Sequence, residues 1–432
     1  MVPRRIERRI SQIALDESFE ESKRAGNAVA HFTFLSLGIS SLLPWNALVI
    51  ALPFFLEKLQ GTGLHDTFAS WITFLFNGVG LLSIGLATWL GGQFLGPLTC
   101  TFSMLALTLL FGFLSIIPFF ELPATAFFLT IMSASVMLAA AGGLLQTATL
   151  TLAPAYGPSA ITYFMAGSAL SAVGVSTLQV FTAYTSNSID LNLPSVDSPS
   201  WSATICYATS TLLVTLALGS FHILTITSSD NSKSYSDLPI SENTRLLDSI
   251  LDSPVLSTQE VHKSQPGDRW RFGCNFAIFY AGIITLGLFP TITTRIESVD
   301  SRTNPLLFNA LHFLVFNIAD LFGRTMVSME LFPLGDTALV VYSLARTVFV
   351  PAFMVCNATG HWPTLITSDL AYILVLFAFG VTCGHLSTLA LISAAQDPDP
   401  KVSGQETRAT QFWMMLGFVV GGIASFGIGA AL

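Results

Sequence analysis

Charge is scarce in this chain, at 10% of its 432 residues, where an ordinary soluble domain carries roughly 25%. That scarcity excludes a water-exposed globule. Metal-ligand spacing is missing too. His31, His65, His222, His262, His312, His361 and His385 form no His-x-x-x-His pair and no regular spacing with carboxylates, and no nucleophile stands beside a base. Neither a metal centre nor a covalent enzyme is expected, and no cofactor is implied. The five cysteines, Cys100, Cys206, Cys274, Cys356 and Cys383, sit in or at the edges of apolar runs, which argues against a disulfide framework or a thiolate site. A cleavable leader is not expected, because the first 30 residues mix basic and acidic side chains instead of forming an apolar run before small residues. The net charge of −8 comes from scattered carboxylates such as Asp230, Asp237, Asp248, Asp252, Asp397 and Asp399. Nothing in it resembles the basic footprint of a nucleic-acid binder.

What the chain has in abundance is apolar sequence, 52% of the residues, arranged in runs long enough for a hydrocarbon core of about 30 Å. Eleven such runs are read near 31–54, 68–90, 96–120, 124–150, 159–182, 201–226, 273–294, 305–330, 337–357, 367–394 and 409–431. The fold class expected is an all-α polytopic membrane protein in a 6 + 5 arrangement, with the lipid bilayer as its main partner. Lysine and arginine are retained on the cytoplasmic side of membrane proteins. Arg4, Arg5, Arg8, Arg9, Lys23 and Arg24 precede the first run, Lys233, Arg245, Lys263, Arg269 and Arg271 fall between the sixth and seventh, and Lys401 and Arg408 precede the last. This pattern places the N-terminus inside and, with an odd number of spans, Leu432 on the outer or lumenal face. The organisation read from it is a cytoplasmic tail (1–30), a six-helix bundle (31–226), a disordered cytoplasmic linker (227–270) and a five-helix bundle (271–432).

The eighth run carries Phe316-Asn-Ile-Ala-Asp-Leu-Phe-Gly-Arg324. A carboxylate or guanidinium inside a span costs roughly 2.5–3.5 kcal/mol on insertion scales and marks a site with a named partner. Asp320 and Arg324 are four residues apart, one above the other on a helix. Asn317 and Ser328 extend the same polar stripe, and Gly323 beside it allows close approach of another backbone. The alternative is an ion pair that only fixes helix packing. Arg346 is a third intramembrane charge in Leu344-Ala-Arg346-Thr-Val-Phe-Val-Pro351. Two arginines against one aspartate favour a ligand rich in acceptors and hydroxyls over an organic cation.

Pro44 and Pro53 in the first run, Pro290 in the seventh and Pro351 in the ninth each remove a backbone donor, so kinks are expected there, with gating or simple bending as their role. Within the linker, Tyr235-Ser-Asp-Leu238 and Glu242-Asn-Thr-Arg-Leu246-Leu247 look like tyrosine-based and acidic dileucine signals read by sorting adaptors. They point to an endosomal or vacuolar membrane as well as the plasma membrane; an ordinary solvated loop is the competing reading.

Leu43-Pro-Trp45-Asn46, Gly142-x-x-x-Gln146, Phe164-Met-Ala-Gly-Ser-Ala-Leu170, Leu288-Phe-Pro290, Phe316 to Arg324 and Leu344 to Asn357 occur in order. Together they resemble the equilibrative nucleoside transporter family from about residue 35 to the C-terminus. The resemblance implies a fold similar to the major facilitator type lacking its last helix, and facilitated passage of nucleosides, with nucleobases as a further class, by alternating access. It implies that Asp320 and Arg324 hold the ribose hydroxyls, that Gln146 bonds the base and that Trp45 packs on the ligand while Asn46 supports span one. Asn317 and Arg346 join them as candidate substrate-binding residues. The chain departs from the family pattern at Ala47, Leu48 and Val49, at Ser168, Ala169 and Ala172, and at Gly384-His385-Leu386, where tyrosine is common. His385 introduces a titratable group, so Pro290 and His385 are candidates for gating or proton sensing. A proton-coupled nucleoside or nucleobase symporter is the alternative function.

Overall fold

The computed structural model describes residues 4–91, 94–188, 199–236, 272–290, 292–300, 302–329, 335–356 and 365–431. Long helices account for nearly all of them. In chain order they are α1 (Arg4–Lys58), α2 (His65–Leu90), α3 (Pro97–Ile116), α4 (Ala124–Leu152), α5 (Pro158–Ser188) and α6 (Pro199–Ser236). There follow α7 (Phe272–Leu288), α8 (Pro305–Met326), α9 (Asp336–Ala345), α10 (Phe349–Met354), α11 (Asp369–Ala394) and α12 (Pro400–Ala431).

Ten spans among the described residues are long and apolar enough to cross a membrane, with α9 and α10 counting together as Asp336–Met354. In α12, Lys401, Glu406 and Arg408 precede the apolar stretch expected at 409–431. The surface agrees with a lipid environment. Trp89 is 80% exposed and Leu98 72%, and together with Phe74 and Phe102 they present apolar area that a soluble monomer rarely shows. The protein is a multi-pass integral membrane protein.

Prolines shape the elements as their missing donor dictates. Pro305 starts α8 behind Asn304, whose side chain accepts from the Leu306 and Leu307 amides at 2.8 and 3.3 Å, a capping arrangement that pairs otherwise orphaned donors. At Pro351 the ring crowds the carbonyl four residues back, and span nine breaks there: a 3-10 turn over Arg346–Val348 separates α9 from α10. Pro290 follows the end of α7 across a cis Phe289–Pro290 peptide, and its carbonyl accepts from the Thr293 and Thr294 hydroxyls at 3.0 Å. Pro44 and Pro53 lie inside α1, which continues through both.

By compactness the chain falls into two units. One comprises Ala30–Gly219 with Arg271–Leu432 and holds the helical bundle; the other comprises Met1–Val29 with Ser220–Trp270, the start of α1 and the end of α6 included. Within the bundle α2 and α3 pack on α4, α7 on α12, and α8 on α11, while α5 lies along α8 and α12 along α4 and α2. The α8–α11 seam is a backbone contact. A Cβ on Gly323 would meet the Val381 carbonyl, and one on Gly384 the Asp320 carbonyl, while one on Gly380 would lie 2.7 Å from the Ala319 Cβ. Small residues let membrane helices approach this closely, and the seam fixes the backbone that carries Asp320 and Arg324.

Candidate functional site

The paired charges of α8 meet as their spacing dictates. Arg324 Nε donates to Asp320 Oδ2 at 2.7 Å, and Arg324 Nη1 donates to the Met165 carbonyl of α5 at 3.0 Å. The side chains are 9% and 16% exposed for Asp320 and Arg324, so the pair is only slightly open. A charge-assisted bond in such surroundings is stronger than a neutral one. Asp320 Oδ1 is buried with no hydrogen-bond partner among the described residues. An ionised carboxylate offers about four acceptor positions, so one oxygen is committed to Arg324 and the other is left to accept.

The remaining polar residues tie helices together around that pair. Asn317 Nδ2 donates to Ser176 Oγ at 2.5 Å and lies 3.5 Å from the Ala172 carbonyl, which places α8 against α5. Asn46 Nδ2 donates to Ser171 Oγ at 2.9 Å, joining α1 to α5. Trp45, the neighbour of Asn46, is half-buried with its ring 5.2 Å from that of Phe76, and it lines an apolar groove with Leu48, Val49, Leu52 and Ile72. Gln146 on α4 is half-buried and makes no side-chain hydrogen bond among the described residues. Its amide donors and acceptor are therefore unspent.

Arg346 is enclosed within the second bundle. It is 1% exposed. Its Nη2 donates to Thr285 Oγ1 of α7 at 3.1 Å and lies 3.5 Å from the Phe379 carbonyl of α11, with the guanidinium 4.9 Å from the centre of the Phe379 ring. Nε and Nη1 have no partner among the described residues, so hydroxyl and ring stabilise the charge in place of a carboxylate. His385 is buried on α11, its ring centre 5.8 Å from that of Tyr342 on α9. Ser328, at the end of the expected stripe, lies past α8 in a 3-10 turn and donates to the Thr325 carbonyl. Tyr235 falls in the last turn of α6, whereas Leu238, Glu242, Leu246 and Leu247 lie outside the described residues.

The structure also brings in residues that pattern reading passes over. Ser171, Ser176 and the Met165 carbonyl make α5 the partner of both α1 and α8, and Thr285 and Phe379 hold Arg346. In sequence these are ordinary small or apolar span residues. The serines Ser168, Ser171 and Ser176, spaced along one helix, are the signal that could have pointed to α5. Among the described residues no group of three His, Cys, Asp or Glu side chains could hold a metal ion.

Comparisons with known proteins agree on one family. A model of the nucleoside transporter family matches residues 132–430. Equilibrative nucleoside transporter 2 of Homo sapiens is 24% identical over 445 residues, 91% of this chain and 95% of that protein. Equilibrative nucleoside transporter 1 of Rattus norvegicus is 30% identical over 150 residues, a stretch that spans 33% of this chain and 33% of the rat protein. Among solved structures, the E. coli fucose:proton symporter superposes with a TM-score of 0.55 at 16% identity, covering 94% of this chain and 92% of that one. A proton:xylose symporter of the major facilitator superfamily gives 0.58 at 9%, covering 94% and 88%. At those identities the likeness is one of fold.

Proposed function

The chain belongs to the nucleoside transporter family, and from that premise we propose that it carries nucleosides down their concentration gradient by alternating access. The observation that carries the reading is the Asp320–Arg324 pair, with Oδ1 of Asp320 left without a partner. A ribose presents vicinal hydroxyls that donate, and a half-committed carboxylate accepts them while the adjacent guanidinium donates to hydroxyl or ring oxygens. Gln146, with an unspent amide, reads the edge of the base. Trp45 supplies an aromatic face, and Asn46 and Asn317 hold α1 and α8 against α5. Arg346 contributes its positive field from inside the second bundle. Nucleobases, which lack the ribose, are second-rank cargo for such a site.

The two bundles, 31–226 and 271–432, serve as the halves that rock about this site, as in other transporters built from two helical bundles. The 227–270 segment links them and the tail 1–30 precedes them. Charge places the N-terminus and the linker in the cytoplasm and Leu432 on the opposite face. The tyrosine and dileucine patterns of the linker fit recognition by sorting adaptors and residence on the plasma or an endosomal or vacuolar membrane. The transporter needs no cofactor and no covalent step. Proton coupling through Asp320 or His385 is the competing mechanism; a proton taken up on Oδ1 of Asp320 would neutralise the carboxylate and weaken its charge-assisted bond to Arg324.

Uptake of radiolabelled adenosine and uridine into liposomes bearing the purified protein tests this. Saturable flux indifferent to an imposed pH gradient is expected. Asp320→Asn should lower it by about 30-fold or more, because it leaves a guanidinium without its partner, at roughly 2–5 kcal/mol. Accumulation driven by the pH gradient would establish symport, and absence of flux for both nucleosides would overturn the substrate assignment.

A further inference from the structure

We propose that Gln411 is a release device, a carboxamide enclosed between the two halves that finds no hydrogen-bond partner while they are packed and so keeps that contact easy to break. The proposal rests on the transport reading above and adds a residue outside the candidate substrate site. Gln411 lies on α12 and is 0% exposed, and neither its Oε1 nor its Nε2 has a hydrogen-bond partner among the described residues. An amide buried in this way gives up its hydration and receives no hydrogen bond from the protein in return. The packed state therefore carries a penalty at this residue, and parting the halves removes it.

The neighbours of Gln411 place it on a contact between halves. Gly404 and Gln411 are seven residues apart, about two helical turns, and share one face of α12. Gly404 packs on Thr151 of α4, where a Cβ would lie 2.5 Å from the carbonyl, and Phe412, next to Gln411, packs on Gly85 of α2, 3.2 Å from the position of a Cβ there. α12 belongs to the second bundle, α2 and α4 to the first. The contact lies where α4 ends and α12 begins, the end that the charge pattern assigns to the cytoplasm. Polar residues that meet their own bundle are treated differently. Thr410, one residue earlier and turned toward α7, is also buried, and its hydroxyl donates to Asn275 Oδ1 at 2.8 Å. Across the halves between α5 and α8 the polar groups are paired as well, Asn317 with Ser176 and Arg324 with the Met165 carbonyl. The seam of α12 on α4 and α2 is thus the side on which the inner ends are held by packing while an unpaired amide opposes it.

The test is a spin-label distance measurement across the inner end. Labels are placed at Ala155→Cys, after α4, and Gln396→Cys, before α12, both exposed, in a Cys206→Ser background in proteoliposomes without nucleoside. The protein with Gln411 intact is expected to populate a short and a long distance. Gln411→Met keeps an unbranched chain and removes the amide, and it should lower the ratio of long to short on the order of tenfold. Gln411→Leu, a second apolar replacement, should do the same. Thr410→Val breaks a bond inside the second bundle, so it should lower the thermal midpoint in detergent and leave the ratio unchanged. A protein held wholly at the short distance with Gln411 intact, a ratio that stays or rises in both apolar variants, or an equal fall in Thr410→Val would overturn the proposal. Nucleoside flux into unlabelled proteoliposomes separates the two readings. Distances that shift as expected in a protein without nucleoside flux sink the substrate assignment alone, and flux with unmoved distances sinks the release device alone.

Discussion

Two oxygens of one carboxylate lead different lives at Asp320, and two guanidinium groups are kept in different ways. Arg324 is satisfied by a carboxylate and a backbone carbonyl, whereas Arg346 depends on a threonine hydroxyl and an aromatic face, with Nε and Nη1 unmatched among the described residues. That asymmetry gives Thr285 an importance its residue type does not suggest. Its hydroxyl donates to the Ala281 carbonyl at 2.7 Å and accepts from Arg346 at 3.1 Å. Thr285→Val keeps the shape and removes the acceptor, and an unmatched buried donor of a charged group costs about 1–3 kcal/mol. The expected outcome is a lower thermal midpoint in detergent for Thr285→Val and little change for Thr285→Ser, read by a thermal-shift assay.

At the scale of helices, the seam between α8 and α11 decides how firmly the site is held. Gly384→Ala would drive a methyl group into the Asp320 carbonyl, and overpacking of this kind costs about 1–3 kcal/mol with a shift of backbone. Thermal stability and nucleoside flux should fall together in Gly384→Ala and Gly323→Ala. Gly174→Ala, where a Cβ meets nothing within 4 Å, should leave both unchanged. The Asp320–Arg324 pair, and the close approach at Gly323, were legible in the sequence because an i, i+4 relation and a small residue are local facts. The bond from Asn317 to Ser176 was not, since it depends on which helix lies opposite. Gly384 drew notice only for the histidine beside it, and the Gly380-x-x-x-Gly384 seam went unread because glycine reveals a seam only once the neighbouring backbone is in place. Pro351 announced a kink, and the break lies upstream at Arg346–Val348 because a proline ring acts on the carbonyl one turn before it.

For the molecule as a whole, ten of the eleven expected spans appear among the described residues as helices long and apolar enough to cross, readable because bilayer thickness sets their length, while the pairing of α5 with α8 and of α12 with α2 and α4 is tertiary. That pairing offers a handle on alternating access. Cysteines at Thr151→Cys and Gly404→Cys would sit close enough to bridge, with a small outward shift of α12 to clear the Thr151 carbonyl. Oxidation should abolish flux and a reductant should restore it, with neither effect in the single-cysteine proteins; flux that survives complete cross-linking would show that the inner ends need not part. The broken ninth span also bears on biogenesis. α9 has 10 residues and α10 has 6, and Arg346 lies between them in a segment otherwise apolar enough to cross, so the arginine is what opposes its release from the translocon into lipid unaided. Its arginine becomes tolerable only where Thr285 of α7 waits for it and Phe379 of α11 follows. On this account the region is expected to insert stably only when α11 is present, so a chain ending before Asp369 should retain span nine in the membrane less well than the full chain, read by a glycosylation-mapping insertion assay.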